Sequence, residues 1–299
     1  MQQVAKDIQS FISHLKYEKR YSQNTITAYQ HDLESFWNYI LKEYGNPDLH
    51  DISHQYIRSW LAEIKSNDIA SRSINRKISS LKSFFKFHIT AGRLKQNPMA
   101  KVITPKVSKR LPVFIKEDDI LNLSQSIDSA TEDWKSLNAS TLVSLFYATG
   151  MRLSELIQLK EVNIDFSRRQ IKVLGKGNKE RSIPVTAETI KRIKDYQRLK
   201  YKEFGTGVAE LLVTEKGKKM YPKYAYLLVT KTLAGIPTLD KRSPHVLRHT
   251  FATHLMNNGA EINAVKELLG HSSLAATQVY THNTIEKLKE VYKNAHPKA

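Results

Sequence analysis

Residues 243–255 read SPHVLRHTFATHL, and this stretch gives the most direct prediction of both fold and chemistry. Ser243 and Pro244 suit the start of a helix, since serine caps helices and proline fits the first helical position. His245 then falls in the first turn, where free N–H groups favour an anion, and Arg248 follows on the same face. A histidine and an arginine at a helix N-terminus predict a phosphate site.

Two other interpretations of this helix stay open. His245 and Arg248 could bond a neighbouring loop in an ordinary capped helix. A metal site is the weaker alternative: His245 and His249 have the spacing of two ligands, but Val246 stands where a zinc-protease helix has glutamate.

Residues 148–156, ATGMRLSEL, predict an arginine aimed from a helix junction. Gly150 ends one helix, Arg152 lies at the break, and Glu155 follows one turn later, where it can orient the guanidinium. Such an arginine can clamp two phosphate oxygens. The alternative is a plain intrahelical pair of Arg152 with Glu155.

Residues 171–185, IKVLGKGNKERSIPV, are typical of a β-hairpin whose turn is bracketed by glycines. Lys176 lies at the tip, where it could carry an amine into a groove and protonate a leaving alkoxide, or simply solvate the turn. The stretch lacks the spacing of a nucleotide-binding loop and is followed by a strand instead of a helix.

Residues 268–282, LLGHSSLAATQVYTH, contain a helix stop at Gly270, followed by His271 and, further on, Tyr280. A tyrosine attacks phosphorus only if its phenol, with an ordinary pKa of about 10, loses its proton with help from cations and a base. Among 14 tyrosines, Tyr280 is no signal by itself.

Composition indicates a folded protein that binds a polyanion. The 299 residues include 47 Lys and Arg against 29 Asp and Glu, for a formal charge of +18, while 40% of residues are hydrophobic. The absence of cysteine excludes disulfides, cysteine-ligated zinc, iron–sulfur clusters and thiol nucleophiles. No apolar run is long enough to span a membrane, and residues 1–15 lack the apolar block of a signal peptide, so we expect a cytoplasmic protein.

The charge divides evenly, with +9 in residues 1–110 and +9 in the remainder, so we expect a polyanion that touches both halves. Helical periodicity predicts four helices in the first hundred residues, at about 5–17, 22–44, 53–66 and 70–91. The fourth places Arg72, Arg76 and Ser80 on one face, for which we expect DNA contact, although an ordinary solvated face is the alternative. Residues 104–112, TPKVSKRLP, predict a linker between domains 1–103 and 113–299.

Beyond the linker the pattern is mixed. Helices are predicted at about 117–124, 140–148, 152–160, 187–203, 222–234, 244–257, 261–269 and 285–293.

Taken together and in order, these motifs resemble the tyrosine recombinase (phage integrase) family, and in particular its Xer-type branch. The residues that carry the resemblance are Arg152, Lys176, His245, Arg248, His271 and Tyr280. The similarity covers nearly the full chain, including residues 22–36, SQNTITAYQHDLESF, and 110–120, RLPVFIKEDDI. The coincidence of all motifs in order outweighs the separate structural interpretation of each one.

The resemblance implies a mainly α-helical fold with a small β-sheet. A helical, SAM-like core-binding domain and a mixed α/β catalytic domain would form a C-shaped clamp on DNA. The helix at about 285–293 would dock on a neighbouring protomer, with docking on its own domain as the alternative. Four protomers, identical or paired with a related recombinase, would act on two duplexes.

The chemistry implied by the resemblance is DNA cleavage and rejoining without metal or nucleotide cofactor, like that of type IB topoisomerases. Tyr280 would attack the scissile phosphate to give a 3′-phosphotyrosyl bond. The implied roles of the others are phosphate binding for Arg152, Arg248 and His271, protonation of the 5′-oxygen for Lys176, proton transfer at the phenol for His245, orientation for Glu155, and DNA contact for Lys179 and Arg181.

The biological role implied by the Xer-type motifs is chromosome dimer resolution at cell division, with a DNA translocase as a candidate regulator. A phage or mobile-element integrase of the same family would share every catalytic residue and differ in its target. A DNA-binding protein without catalysis is the alternative from another class. It would need the basic surface but not Arg152, Arg248 or Tyr280.

Overall fold

The computed structural model describes residues 2–106, 113–129, 133–175, 180–270 and 291–297. The chain divides into two compact units, Met1–Arg110 and Leu111–Ala299. In the described part of the chain, no helix is both long and apolar enough to cross a membrane.

The first unit is helical. Its described elements are α1 (Gln2–Ser13), a π-helical turn (His14–Glu18), α2 (Gln23–Tyr44), α3 (His54–Ser66) and α4 (Ser71–Thr90). The Ser22 hydroxyl caps α2 by accepting from the amide of Thr25, and Ser53 caps α3 in the same way. Aromatic side chains from α1 to α4 fill the core; they include Phe11, Phe36, Trp60, Phe84 and Phe85.

One face of α4 differs from the prediction. Ser80 is buried, and its hydroxyl donates to the Asp32 carboxylate on α2 at 2.8 Å. The prediction of DNA contact for Ser80 is therefore wrong. Its small side chain lets α4 approach α2 closely around the buried Asp32 carboxylate. Arg76 also donates to Asp32, at 2.5 Å, but half of its side chain stays exposed, and Arg72 is exposed.

The residues predicted as a linker begin in contact with the first unit. Just before this stretch Val102 is buried, and within it the carbonyl of Pro105 accepts from the Asn75 side-chain amide at 3.0 Å. Residues 107–112 lie outside the described ranges.

The second unit packs helices around a small antiparallel sheet. Its described elements are α5 (Glu117–Ser129), α6 (Trp134–Thr149), α7 (Leu153–Ile157), a 3₁₀ turn (Glu161–Asn163), β1 (Ile164–Asp165), β2 (Gln170–Leu174), β3 (Glu180–Pro184), α8 (Ala187–Phe204), α9 (Pro222–Leu233), α10 (Pro244–Asn257) and α11 (Ile262–Leu269). The sheet order is β1-β2-β3, with Val173 opposite Arg181 and Ile171 opposite Ile183.

This architecture confirms the predicted fold class, mainly α-helical with a small sheet. The hairpin is present, and β1 adds a third strand that the sequence did not predict. The helix expected at 152–160 is wrong in length, since α7 ends at Ile157. Helix α6 begins at Trp134, ahead of the predicted start, because Asp133 caps it by accepting from the Ser136 amide.

The last described residues, 291–297, pack on their own unit. The Tyr292 side chain is buried and donates to the carbonyl of Ala148 at 2.7 Å, at the end of α6. The Asn258 side chain donates to the carbonyl of Ala295 at 3.0 Å. In the single chain this end of the predicted helix at 285–293 therefore docks in cis; residues 285–290 lie outside the described ranges.

Candidate active site

Two helix ends define the site, and each ends on a glycine in the left-handed conformation. Gly150 follows α6 with φ of +57°, and Gly270 follows α11 with φ of +64°. A Cβ atom on Gly150 would lie 2.4 Å from the ring of Phe251, so both the backbone angle and the packing require glycine. This turn brings the chain from α6 directly to Arg152.

Arg152 is the N-cap residue of α7 and pairs with Glu155. The Glu155 carboxylate accepts from the Arg152 backbone amide and from its Nη1 atom, each at 2.8 Å. Arg152 Nη2 donates to the carbonyl of Gly270 at 3.2 Å. The pairing that the spacing predicts is present, and about a third of the Arg152 side chain remains exposed.

Arg248 lies in the first turns of α10 and joins two separate parts of the chain. Its Nη1 atom donates to the carbonyl of Gly150 at 2.6 Å, and its Nη2 atom donates to the carbonyl of Leu269 at 2.7 Å. Burial, together with the charge of nearby Arg152, lowers the pKa of Arg248 to about 10. The guanidinium therefore keeps its positive charge at neutral pH.

Arg181 does not lie where the predicted DNA contact would place it. Its side chain is largely buried and pairs with both oxygens of Glu155, at 3.2 Å for Nη1 and 2.8 Å for Nη2. Its Nε atom donates to the carbonyl of Leu268 at 2.8 Å. All three guanidinium nitrogens of Arg181 are engaged by the protein, and its charge is paired with the Glu155 carboxylate, whereas the two partners of Arg248 are neutral carbonyls. Arg181 is therefore not available to a DNA backbone.

The electrostatics of the site favour an anion. Burial raises the pKa of Glu155, but hydrogen bonds from Arg181 and Arg152 outweigh it and hold this pKa below its ordinary value. Glu155 is therefore ionised, yet its single negative charge faces the three guanidinium groups of Arg152, Arg181 and Arg248. The surplus of positive charge is complementary to a phosphate.

A cavity of about 310 Å³ opens beside Arg248 at the start of α10. Its lining includes His245, which is exposed, His249 and Lys241. Ser243 occupies the N-cap position but does not cap α10 with its side chain; its buried hydroxyl has no hydrogen-bond partner among the described residues. His245 and Arg248, which the spacing places on one face of the helix, thus line the same cavity.

Four predicted site residues lie outside the described ranges: Lys176, Lys179, His271 and Tyr280. The structure brings together Arg152, Glu155 and Arg248, with His245 on the same cavity as Arg248. Sequence reasoning missed the role of the carbonyl end of α11 as the common partner of three arginines. It also missed the buried position of Arg181, although strand alternation carries a signal for it: Arg181 shares a sheet face with the buried residues Val173 and Ile183.

Two known family models match the chain. The profile of the "phage integrase family" matches residues 113–287, and that of the "phage integrase, N-terminal SAM-like domain" matches residues 8–92. The chain belongs to the phage integrase family and is a tyrosine recombinase.

Among curated relatives, the chain is similar to tyrosine recombinase XerC of Anoxybacillus flavithermus, with 36% identity over 100% of both chains. It is 31% identical to tyrosine recombinase XerC of Chlorobaculum parvum over 98% of this chain and 94% of the relative.

A solved structure of the Tn1549 transposon integrase in complex with transposon right end DNA matches 96% of this chain and 98% of the integrase at 19% identity, with a TM-score of 0.72. A pre-cleavage complex of the XerH site-specific recombinase bound to its difH substrate matches 89% of this chain and 78% of XerH at 24% identity, with a TM-score of 0.68. At these identities the likeness concerns the fold.

Proposed function

We propose that the chain cleaves and rejoins duplex DNA at a specific site through a 3′-phosphotyrosyl intermediate on Tyr280. The observation that carries the proposal is the convergence of Arg152 and Arg248 on the carbonyls of Gly270 and Leu269, directly before His271. Two arginines from distant helices meet where three guanidinium groups outnumber one carboxylate. The complement of such a site is a phosphodiester.

In the proposed reaction the Tyr280 oxygen forms a bond to phosphorus while the bond from phosphorus to the 5′-oxygen breaks. Arg152 and Arg248 bind the non-bridging oxygens and offset the charge that grows in the transition state. Lys176 gives its proton to the departing 5′-oxygen. The phosphodiester energy is kept in the protein–DNA bond, and attack by a 5′-hydroxyl returns it.

The two histidines complete the proposed mechanism. His245, exposed at the cavity beside Arg248, assists proton transfer at the Tyr280 phenol. His271 binds the phosphate from the position that follows the carbonyl end of α11. Glu155 holds Arg152 in place and takes no part in proton transfer, since its pKa lies below the ordinary value.

Affinity for DNA beyond the reacting phosphate comes in this proposal from cations outside the site. The exposed Arg72 and the exposed half of Arg76 supply contacts from the first unit. Lys179, which lies outside the described residues, is proposed to supply contacts from the second unit. Such contacts are largely independent of sequence and weaken as salt rises.

We propose that this reaction serves chromosome dimer resolution, with which the XerC names of the relatives are consistent, and that it takes place in the cytoplasm of a dividing cell. The assembly would be four protomers on two duplexes, formed with identical copies or with a related recombinase, and a DNA translocase is a candidate regulator. The predicted C-terminal helix at about 285–293 would dock on a neighbour, for which its described end, from residue 291 onward, would leave its cis position. The DNA site distinguishes this role from that of a mobile-element integrase, which would act at element ends.

A nicked suicide duplex tests the proposed chemistry, because loss of a short 5′-hydroxyl fragment prevents rejoining and traps the adduct. The duplex carries the DNA site recovered by covalent capture from cells that make the protein. We expect the wild type to form an adduct that survives denaturant, without nucleotide and with chelator present. Failure of the wild type to form any adduct on that site overturns the proposal.

The role of Lys176 has its own test. Lys176→Ala should slow cleavage of the ordinary duplex, and a 5′-thiol leaving group, which departs without a proton, should restore the rate. If the thiol substrate is cleaved no faster by the variant, the proton comes from another residue.

A further inference from the structure

Arg181 lies on β3, behind the arginines that face the proposed phosphate. We propose that Arg181 is a positioning residue: by holding Glu155 and the carbonyl end of α11 together, it fixes the direction of Arg152 and the point where the chain leaves α11. This inference rests on the proposed function and adds to it a residue for which the sequence predicted a different role.

The first observation is that the hydrogen bonds of Arg181 point into the protein. Nη1 and Nη2 meet the two oxygens of Glu155, and Nε meets the carbonyl of Leu268. Only 11% of the Arg181 side chain is exposed, and 6% of the Glu155 side chain. A planar, forked cation in this geometry fixes the orientation of a carboxylate more firmly than a single contact does.

The second observation is that Glu155 passes this orientation on to Arg152. Oε1 accepts from the Nη1 atoms of both Arg152 and Arg181, and Oε2 accepts from the Arg152 backbone amide as well as from Arg181 Nη2. Rotation of the carboxylate would break both contacts to Arg152. The position of the Arg152 guanidinium therefore depends on the contact between Arg181 and Glu155.

The third observation is a close approach of Arg181 to Gly270. A Cβ atom on Gly270 would lie 3.0 Å from Nη1 of Arg181 and 3.2 Å from its Cδ and Cζ atoms. Glycine at this position leaves room for the guanidinium against the end of α11. The glycine that ends α11 thus packs directly against Arg181.

Three arginines hold three successive carbonyls at the end of α11. Arg181 takes the carbonyl of Leu268, Arg248 that of Leu269, and Arg152 that of Gly270. Cations are favourable at the C-terminal end of a helix, where carbonyls lack partners from the helix itself. Because His271 comes next, this arrangement joins the position of the arginines to the start of the segment that carries Tyr280.

Removal of the Arg181 fork is expected to disturb catalysis more than binding. Glu155 would lose a partner for each oxygen and its carboxylate could rotate, so the Arg152 guanidinium that it holds would shift from its proposed phosphate-facing position. A displacement of about 1 Å at a reacting group can cost about 100-fold in rate. DNA affinity depends instead on many exposed cations elsewhere.

The test compares Arg181→Met with Arg198→Met, a matched control. Arg198 is exposed and pairs with Asp195 one turn away on α8. We expect Arg181→Met to slow single-turnover adduct formation at saturating DNA by about 10- to 100-fold, with DNA affinity within about threefold of wild type. Arg198→Met should cleave at the wild-type rate. A normal rate for Arg181→Met, or a loss in affinity that accounts for its slower cleavage, overturns the inference.

A second variant and a second readout keep the test valid if Arg181→Met does not fold. Arg181→Lys retains the charge but not the fork, so it should fold and still cleave more slowly at saturating DNA. In DNA-free protein, the Nε–H resonance of Arg152 should move in either folded Arg181 variant and not in Arg198→Met. This NMR readout needs no DNA: a failure of wild type to cleave would overturn the proposed function alone, whereas an unmoved Arg152 resonance overturns the positioning role.

Discussion

Nη1 of Arg248 donates a hydrogen bond to the carbonyl oxygen of Gly150 at 2.6 Å. The bond joins the first turns of α10 to the junction between α6 and α7, where Arg152 begins the next helix. Both arginines therefore take their places from the same glycine turn. Stability and chemistry are coupled at this point.

Gly150→Ala should destabilise the second unit strongly. Alanine would have to adopt a left-handed angle and would place Cβ 2.4 Å from Phe251, so we expect a loss of roughly 2–5 kcal/mol in the free energy of unfolding. Gly259→Ala is the control: Gly259 has φ of +87° but open space around it, which predicts only about 1–2 kcal/mol. Urea unfolding of the two variants measures the difference, and equal losses would contradict the packing argument.

Arg248→Lys should reduce adduct formation by about 100- to 1,000-fold, because a lysine cannot hold two partners in a fixed fork beside the phosphate. The measurement is single-turnover cleavage of the suicide duplex, well below the melting temperature of the variant. Arg168→Lys serves as control, since the Arg168 side chain is 77% exposed. Cleavage by Arg248→Lys at the rate of this control would remove Arg248 from the proposed site.

A pH dependence of stability should arise from His254, a buried residue on α10. Its ring bonds the Tyr147 hydroxyl at 3.0 Å and the Ile115 carbonyl at 2.8 Å, and burial lowers its pKa below the ordinary value. The unfolded chain keeps a pKa near 6.5 and so binds the proton first as pH falls. The contribution of neutral His254 to the free energy of unfolding is therefore fully present above about pH 6.5. It is lost as the pH falls from there through the lower pKa of the folded state.

His254→Gln should flatten this profile between pH 7.5 and pH 5. The measurement is the free energy of unfolding at each pH for the variant and for wild type. His88, whose pKa is also lowered by burial, lies in the first unit and contributes equally to both proteins. If the free energies of unfolding of the two proteins fell in parallel as the pH is lowered, His254 would not be the source of the loss of stability in acid.

Tyr292→Phe should weaken the cis docking of residues 291–297. Burial raises the pKa of Tyr292, so its hydroxyl stays protonated and donates to the carbonyl of Ala148. Without the hydroxyl, the buried carbonyl of Ala148 loses this hydrogen-bond donor. We expect the free energy of unfolding to fall by about 1–3 kcal/mol. Tyr226→Phe, at an exposed position on α9, should change stability by less than about 0.5 kcal/mol. Equal stability of the two variants would argue against the buried contact.

Much of the fold could be predicted from local patterns. Ser22 and Gly45 bound α2 as predicted, and the hairpin around β2 and β3 follows from its alternation and its glycines. The pairing of Arg152 with Glu155 follows from helical spacing. These features depend on residues close together in the chain.

The errors arose where a partner came from far along the chain. Ser80 was predicted to lie on an exposed face because no residue near it in sequence indicates that it packs against the buried Asp32 of α2. Arg181 was predicted as a DNA contact on the basis of its charge, although strand alternation places it on a buried face. Its partners Glu155 and Leu268 are distant in sequence. Local periodicity can indicate that a residue is buried, but not which distant residue it pairs with.

The proposed reaction depends on one covalent bond, between the Tyr280 oxygen and DNA. The most direct measurement is mass spectrometry of the peptide left on DNA after wild-type adduct is trapped on the suicide duplex and digested. We predict that the linked peptide contains Tyr280 and that the DNA is joined through its 3′-phosphate, while Tyr280→Phe binds the duplex with no adduct. A DNA-linked peptide that lacks Tyr280, or an adduct formed by Tyr280→Phe, would contradict the claim.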